Sequence, residues 1–480
     1  MNSKTNQLPL RKRVLTGTVF LIVRQFTINI INFLGNLILA RILMPEDFGI
    51  YALIMFLITF FALIGDSGLG AVIIRKKGEL SDKLIATIFT FQQIFMLIIS
   101  IILLFITFFI EPQLKKPETI WLFRISIISF FLISFRMVQV QLLERNLLFG
   151  KIAFLEIMEV LAFQGVAVSL AVAKFGVWAM VIGLLSKNIV MLVIIFFISE
   201  WKIHYRFDLR RLKPILPFGL SFQGSHFINF IKDSTVPIWI SYILGVKFLG
   251  YITWANSLSI YPILLSNLLS RILFPFFSRI QNDKDKFKNA LEMITRINIF
   301  TIMAVSTVFF ALARPITVIL YTEKWLPALN LFYLLVLSTF LLGAIIPFIN
   351  AFNSIGKAFY TFKLSLAWAL GFWFFSILLV PRFGITGYGL AVLITYLINI
   401  ICMIDARKQF DIKILKNIMP SLISFVAVVL IIKFLIFKIE INNLILLIIF
   451  ILITLILYIL INFLLSGKQY VEDLKYIFKR

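Results

Sequence analysis

The sequence predicts an all-α membrane protein of about fourteen transmembrane helices, arranged as two parallel six-helix bundles plus two C-terminal helices. Three observations predict it. The 480 residues are 61% hydrophobic and 14% charged, with 53 phenylalanines and a mean hydropathy of +1.03. A soluble domain is about 45–50% apolar and about 25% charged, so polar surface is too scarce here to cover a water-soluble globule. The basic residues alternate between the two sides of the apolar runs. Short local identities recur about two hundred residues apart. Soluble multidomain enzymes, nucleic-acid binders and disordered scaffolds are excluded on composition.

A bilayer core of about 30 Å needs about 20 apolar residues per helix. On that ruler the spans run over 14–40, 48–74, 84–110, 120–143, 152–173, 177–199, 214–245, 248–277, 287–313, 328–353, 358–381, 384–404, 418–438 and 441–465. The basic start Arg11-Lys12-Arg13 before the first run resembles a signal peptide. The run is too long for one, carries Arg24 inside it and has no small-residue cleavage site after it, so it reads as the first span. With the N-terminus cytoplasmic, 29 of the 46 Lys and Arg residues fall on the cytoplasmic side and nine on the other. That asymmetry places both termini inside and explains the net charge of +24 without nucleic acid. Every connection is short, so function must reside among the helices.

Two local repeats set the domain organisation. Ile42, Leu43 and Gly49 recur as Ile243, Leu244 and Gly250, and Phe175-Gly176 recurs as Phe383-Gly384. Domains are expected at 1–213 and 214–417, each a six-helix bundle, with two extra helices and a cytoplasmic tail over 418–480. Parallel repeats of this kind build transporters that work by alternating access.

Ionisable groups in hydrocarbon are costly and mark function or pairing. Arg24 lies ten residues into the first span, roughly 15 Å deep. Lys187 lies at similar depth in the sixth span, and Arg296 nine residues into the ninth. Each must face a wet cavity or a counter-charge. Gln25, Asn29, Asn32 and Asn36 share one face of the first span, and His226, Asn229 and Asp233 one face of the seventh, beside Lys232. The expected substrate-binding set is Arg24, Asn29, Asn32, Asn36, Lys187, Asn229, Lys232 and Arg296. The expected coupling carboxylates are Asp66 and Asp233, with H⁺ or Na⁺ as the coupling ion. A cavity richer in cations than anions suits an anionic cargo, and guanidinium suits phosphate. The single cysteine, Cys402, reads as a buried thiol. The two histidines cannot make a His-rich zinc site, and no metal or other cofactor is expected.

Leu39-Ala40-Arg41-Ile42-Leu43-Met44-Pro45-Glu46-Asp47-Phe48-Gly49-Ile50-Tyr51-Ala52 resembles the first-loop signature of bacterial polysaccharide-export flippases. These are the Wzx-type O-unit and exopolysaccharide-repeat transporters of the multidrug/oligosaccharidyl-lipid/polysaccharide superfamily. Asp66-Ser67-Gly68-Leu69-Gly70-Ala71 is similar to the motif closing span two. Gly176-Val177-Trp178-Ala179, and Arg271 to Pro275 followed by Ser278-Arg279-Ile280-Gln281, are similar in kind and order. The resemblance covers the first twelve spans, and Thr386 stands where an aromatic matching Trp178 would be expected. It implies a fourteen-helix inner-membrane protein that is not an enzyme. It implies that undecaprenyl-diphosphate-linked oligosaccharide moves from the inner to the outer leaflet, for O-antigen, capsule or exopolysaccharide. The implied partners are that lipid-linked substrate, membrane lipid, a polysaccharide polymerase and a chain-length regulator. Two rival readings stand beside it. One is an ion-coupled drug or organic-cation antiporter of the same superfamily, relying on Asp66 or Asp233. The other is a membrane glycan polymerase, ligase or glycosyltransferase, which would need paired carboxylates on a sizeable external loop.

Overall fold

The computed structural model describes residues 10–110, except 77 and 79, and residues 119–478. Side chains at 10–22, 110 and 474–478, and at several positions within 222–233 and 265–272, lie outside that description. All regular structure among the described residues is helical. The chain forms two compact units, Met1–Ile238 and Trp239–Arg480. The dividing line falls inside the seventh long helix, between Ile238 and Trp239, just after Pro237.

The first unit opens with α1 (Leu10–Ile42) and α2 (Pro45–Asp66). Pro45 is the first residue of α2, where its missing N–H costs nothing. Asp47 accepts the Met44 amide at 2.8 Å and so satisfies the entry to the helix. Ser67 and Gly68, both left-handed at φ 50° and 65°, end α2 and turn the chain into the short α3 (Leu69–Arg75). The turn is tight for a reason: a Cβ on Gly68 would sit 1.9 Å from the Gly219 carbonyl oxygen. Then come α4 (Asp82–Ile110), α5 (Thr119–Arg145), α6 (Phe149–Val172), α7 (Val177–Ile198), the single turn α8 (Leu209–Leu212) and α9 (Leu216–Leu244). α6 and α7 form a close hairpin, with α1 against α6 and α5 against both α4 and α7. Ile54, Met96, Leu122, Phe130, Val181 and Leu184 make one core among α2, α4, α5 and α7.

The second unit continues with α10 (Val246–Ser259), α11 (Leu264–Ile280), α12 (Lys284–Ala311), the single turn α13 (Ala313–Ile316), α14 (Leu329–Ala344) and α15 (Ile346–Ser354). It ends with α16 (Ala358–Tyr396), α17 (Asn399–Phe410), α18 (Ile414–Lys438) and α19 (Leu444–Phe478). Pro262 and Pro347 mark the breaks between α10 and α11 and between α14 and α15, because proline lacks the N–H that would continue the ladder. α12 runs through the middle of this unit, against α11, α14, α18 and α19. Trp325, fully buried, stacks on Trp254 with ring centroids 5.2 Å apart and closes one end.

Eleven helical stretches among the described residues are long and apolar enough to cross a bilayer. One of them, Ala358–Phe410, has 53 residues, too many for one crossing. Gly384 leaves helical geometry within it (φ 59°, ψ −138°) and divides it into two. Adding α9 and the α10–α11 pair gives fourteen candidate passes among the described residues, the number the hydropathy predicts. α1 shows why they sit in lipid: Val23, Phe26, Ile30, Leu34 and Ile38 stay exposed along one apolar stripe. In water such a continuous stripe would be an association site; in a bilayer it is the solvent-matched face.

The repeats read from the sequence coincide with backbone events. α2 and α10 begin at Pro45 and Val246, both just after the recurring Ile-Leu pair. Gly176 before α7 has φ 55° and ψ −137°, matched within a few degrees by Gly384. Only glycine occupies that region cheaply, which is why Phe-Gly recurs at these two joints.

Candidate functional site: a charged cluster within the first unit

α6 carries Glu156 and Glu159 on one face, a single turn apart. Three neighbouring helices each point a cation at them. Arg24 of α1 meets Glu156 at 2.9 Å. Arg136 of α5 reaches both oxygens of Glu159, at 3.3 and 3.4 Å, the planar fork that guanidinium makes with carboxylate. Lys187 of α7 meets the same carboxylate at 3.2 Å. Lys187 stands ten residues from the start of α7 and eleven from its end, so the cluster lies at mid-helix depth.

Polar side chains fix these groups in place. Arg136 also reaches Asn188 Oδ1 at 3.5 Å, and the buried Asn188 amide donates to Ser129 Oγ at 2.7 Å. Gln25 joins Arg24 to Asn29: Arg24 Nη2 donates to Gln25 Oε1 at 3.5 Å, and Gln25 Nε2 donates to Asn29 Oδ1 at 3.1 Å. The cluster is only partly closed. Glu156 is 36% exposed and Lys187 23%, against 12% for Arg24. The Nε donors of Arg24 and Arg136 are buried and meet no acceptor. Both guanidinium groups thus keep an unmet donor inside the cluster.

The expected site residues divide on this geometry. Arg24, Lys187 and Asn29 come together. The sequence reading favours an open cavity for Arg24 and Lys187 over a structural pair; the structure gives each a carboxylate partner, with Lys187 23% and Glu156 36% exposed. Asn32 and Asn36 are engaged elsewhere: Gln164 of α6 donates to both, at 3.1 and 3.5 Å. Gln164 fills the space left by Gly35, whose Cβ would lie 2.1 Å from Gln164 Oε1. These two amides join α1 to α6, the ordinary use of polar side chains between membrane helices. Arg296 lies apart from the cluster, in the second unit. It grips Asp473 of α19 at 3.0 Å and Asn417 of α18 at 2.6 Å, with Arg296 12% and Asp473 10% exposed. Burial drives that pairing, since neither charge could stay unpaired in the helix core. Asp66 accepts from Gln92 and Gln141, at 3.2 and 3.3 Å, and so ties the end of α2 to α4 and α5. The side chains of Asn229, Lys232 and Asp233 lie outside the described residues.

Glu156, Glu159, Arg136, Asn188 and Gln164 are absent from the sequence-based set. The signal for the two glutamates is present: acids in membrane helices are scarce, and these stand three residues apart. Nothing in the sequence says that α6 lies between α1, α5 and α7, and so nothing pairs them.

By class this is a many-helix membrane protein with charged groups gathered inside a helix bundle. The chain belongs to a family described as "Polysaccharide biosynthesis protein", which it matches over residues 38–330. The resemblance carried by the first loop is thereby borne out. The succinoglycan biosynthesis transport protein ExoT of Rhizobium meliloti is 28% identical over 73% of this chain and 69% of its own. The lipopolysaccharide biosynthesis protein WzxC of Escherichia coli is 24% identical over 67% of this chain and 66% of its own. The teichuronic acid biosynthesis protein TuaB of Bacillus subtilis is 22% identical, with 66% of each chain covered. Among solved structures, the lipid II flippase MurJ in its inward closed conformation superposes with a TM-score of 0.74 at 18% identity, covering 95% of this chain and 99% of its own. An inward-facing MATE family multidrug transporter gives 0.61 at 17% identity, covering 81% and 98%. At these identities the structures establish the fold.

Proposed function

We propose that the protein is a flippase that carries a polyprenyl-diphosphate-linked oligosaccharide from the inner to the outer leaflet of a bacterial inner membrane by alternating access. Both termini would be cytoplasmic, and a surface polysaccharide would be the end product. The observation that carries the reading is the convergence of Arg24, Arg136 and Lys187 at mid-depth in a chain of this family. A diphosphate cannot cross hydrocarbon unpaired, and sugar hydroxyls lose their hydrogen bonds there. A partly open cation cluster, with Gln25 and Asn29 beside it, offsets both costs. The lipid tail never needs to leave the bilayer.

Arg24, Lys187 and Arg136 contact the diphosphate, and Asn29 and Gln25 hydrogen-bond water or sugar. Asn229 and Lys232 remain candidate substrate ligands. Asp66 and Asp233 remain candidates for coupling to H⁺ or Na⁺. A polymerase and a chain-length regulator would act on the delivered unit. The organic-cation reading relies on Asp66 or Asp233 and leaves the three converging cations without a use.

The test is complementation. In a host lacking its own flippase, Arg24→Ala and Lys187→Ala at wild-type protein level are expected to reduce surface glycan at least about tenfold, the effect of losing about 1.4 kcal/mol of substrate stabilisation. Undiminished glycan from both variants would remove the cluster from the mechanism.

A further inference from the structure

The flippase reading uses the cations of the cluster and leaves its two carboxylates without a task. Yet Glu156 and Glu159 are the centre of the arrangement. Arg24, Arg136 and Lys187 come from three different helices, and all three are held by α6. Two anionic groups one turn apart, meeting the same guanidinium and ammonium groups that a diphosphate would need, occupy the ligand's own contacts. We propose that Glu156 and Glu159 are displaceable internal counter-ions: they hold the cationic site while it is empty, yield to a prenyl diphosphate, and return to expel it. This rests on the diphosphate reading above.

The physical need is plain. Three bare cations at mid-membrane would be costly, and a permanently open cationic site would bind a diphosphate too tightly to release it. Competing carboxylates answer both problems. The geometry favours exchange at Glu156, the more exposed of the two α6 carboxylates at 36% against 17% for Glu159, and the buried, unpartnered Nε groups of Arg24 and Arg136 become available to phosphate oxygens as the carboxylates move away.

Charge balance then links exchange to protons. Glu156 feels Arg24 from α1, Arg136 and Glu144 from α5, and Glu159 on its own helix; Glu159 is faced by Arg136 and by Lys187 of α7. Counting Glu144 of α5 with the two α6 glutamates, three carboxylates face three cations, so the empty cluster is close to neutral. A diphosphate diester adds two negative charges. A displaced carboxylate takes one proton from water (COO⁻ + H⁺ → COOH), which relieves the excess, and it loses that proton when the ligand departs.

The experiment is calorimetric titration of the purified full chain in detergent with geranylgeranyl diphosphate. Glu156→Gln and Glu159→Gln are each expected to bind at least about fivefold tighter than wild type, because the competitor is gone. Wild-type binding is expected to strengthen on acidification more steeply than that of the double Gln variant, which shares the ligand's own titration but lacks the carboxylates. A purely structural role for the glutamates would leave binding unchanged or weaker and the two pH dependences parallel, and either result overturns the proposal. Should the Gln variants not be recovered folded, Glu159→Asp loosens the same pairs while keeping the charge, and a smaller gain in affinity is expected. Wild-type binding that Arg24→Gln abolishes, with no gain in the glutamate variants, would sink this inference alone. Absence of binding by wild type and by every variant would sink the diphosphate reading with it.

Discussion

Arg296 and Arg24 show how two arginines at similar predicted depth come to differ. Arg296 is enclosed by Asp473 and Asn417, and the column continues with Asn462 donating to Ser421 and Tyr470 donating to Asn462. It is a structural pair. Breaking one partner of a buried pair costs about 3–5 kcal/mol, whereas replacing both with apolar groups costs far less. Asp473→Asn is therefore expected to lower the unfolding temperature sharply in detergent. The double variant Arg296→Leu/Asp473→Leu should recover most of that loss and still export glycan. An equally unstable double variant would show that the pair is not the cause. Outside the spans, the exposed Asp411 carboxyl is held below its usual range by the Lys288 ammonium that donates to it, and Asp283 likewise by Lys286. A depressed carboxyl contributes stability above its unfolded value and loses it as pH falls through the folded one. Acidification into and below the ordinary carboxylate range should thus lower the melting temperature slightly, and Asp411→Asn should flatten that dependence.

At the scale of elements, helix ends and close approaches decide what the sequence tolerates. The turn from α2 to α3 needs Gly68 twice over, for its left-handed φ and for the Gly219 carbonyl beside it. That obstacle is backbone and cannot rotate away. The Cβ of an alanine at position 70 would instead meet the Gln141 side chain at 2.0 Å, which can move, at the cost of its bond to Asp66. Gly68→Ala is expected to destabilise by about 2–3 kcal/mol or more and Gly70→Ala by about 1 kcal/mol. Thermal unfolding of the two purified variants checks the order, and a Gly70 variant that is the worse of the two would contradict it. Most of the elements are legible in the chain itself. Pro45, Gly176 and Gly384 stand close to expected span edges, whereas the breaks at Pro262 and Pro347 fall inside the spans 248–277 and 328–353, which the sequence reading takes as continuous. The use of the amide stripe on α1 is not legible, because Asn32 and Asn36 look the same whether water or Gln164 meets them.

For the whole molecule, the proposal that both termini are cytoplasmic rests on the distribution of basic residues. A green fluorescent protein fused after Arg480 should fluoresce, and an alkaline phosphatase fused there should be inactive; the reverse would invert the topology and the direction of transport. Hydropathy alone settles that the chain is a helical membrane protein and about how many times it crosses, because apolar length against bilayer thickness is a property of each segment by itself. The family is equally readable, since its first-loop motif is contiguous in the chain. Which buried charges pair could come only from the folded molecule. Lys187 and Glu159 are separated by 28 residues and Arg296 and Asp473 by 177, and electrostatic energy depends on distance in space, which no reading of one segment contains. Tertiary structure alone therefore separated Arg296, paired with Asp473 of α19, from Arg24 and Lys187, paired with Glu156 and Glu159 of α6.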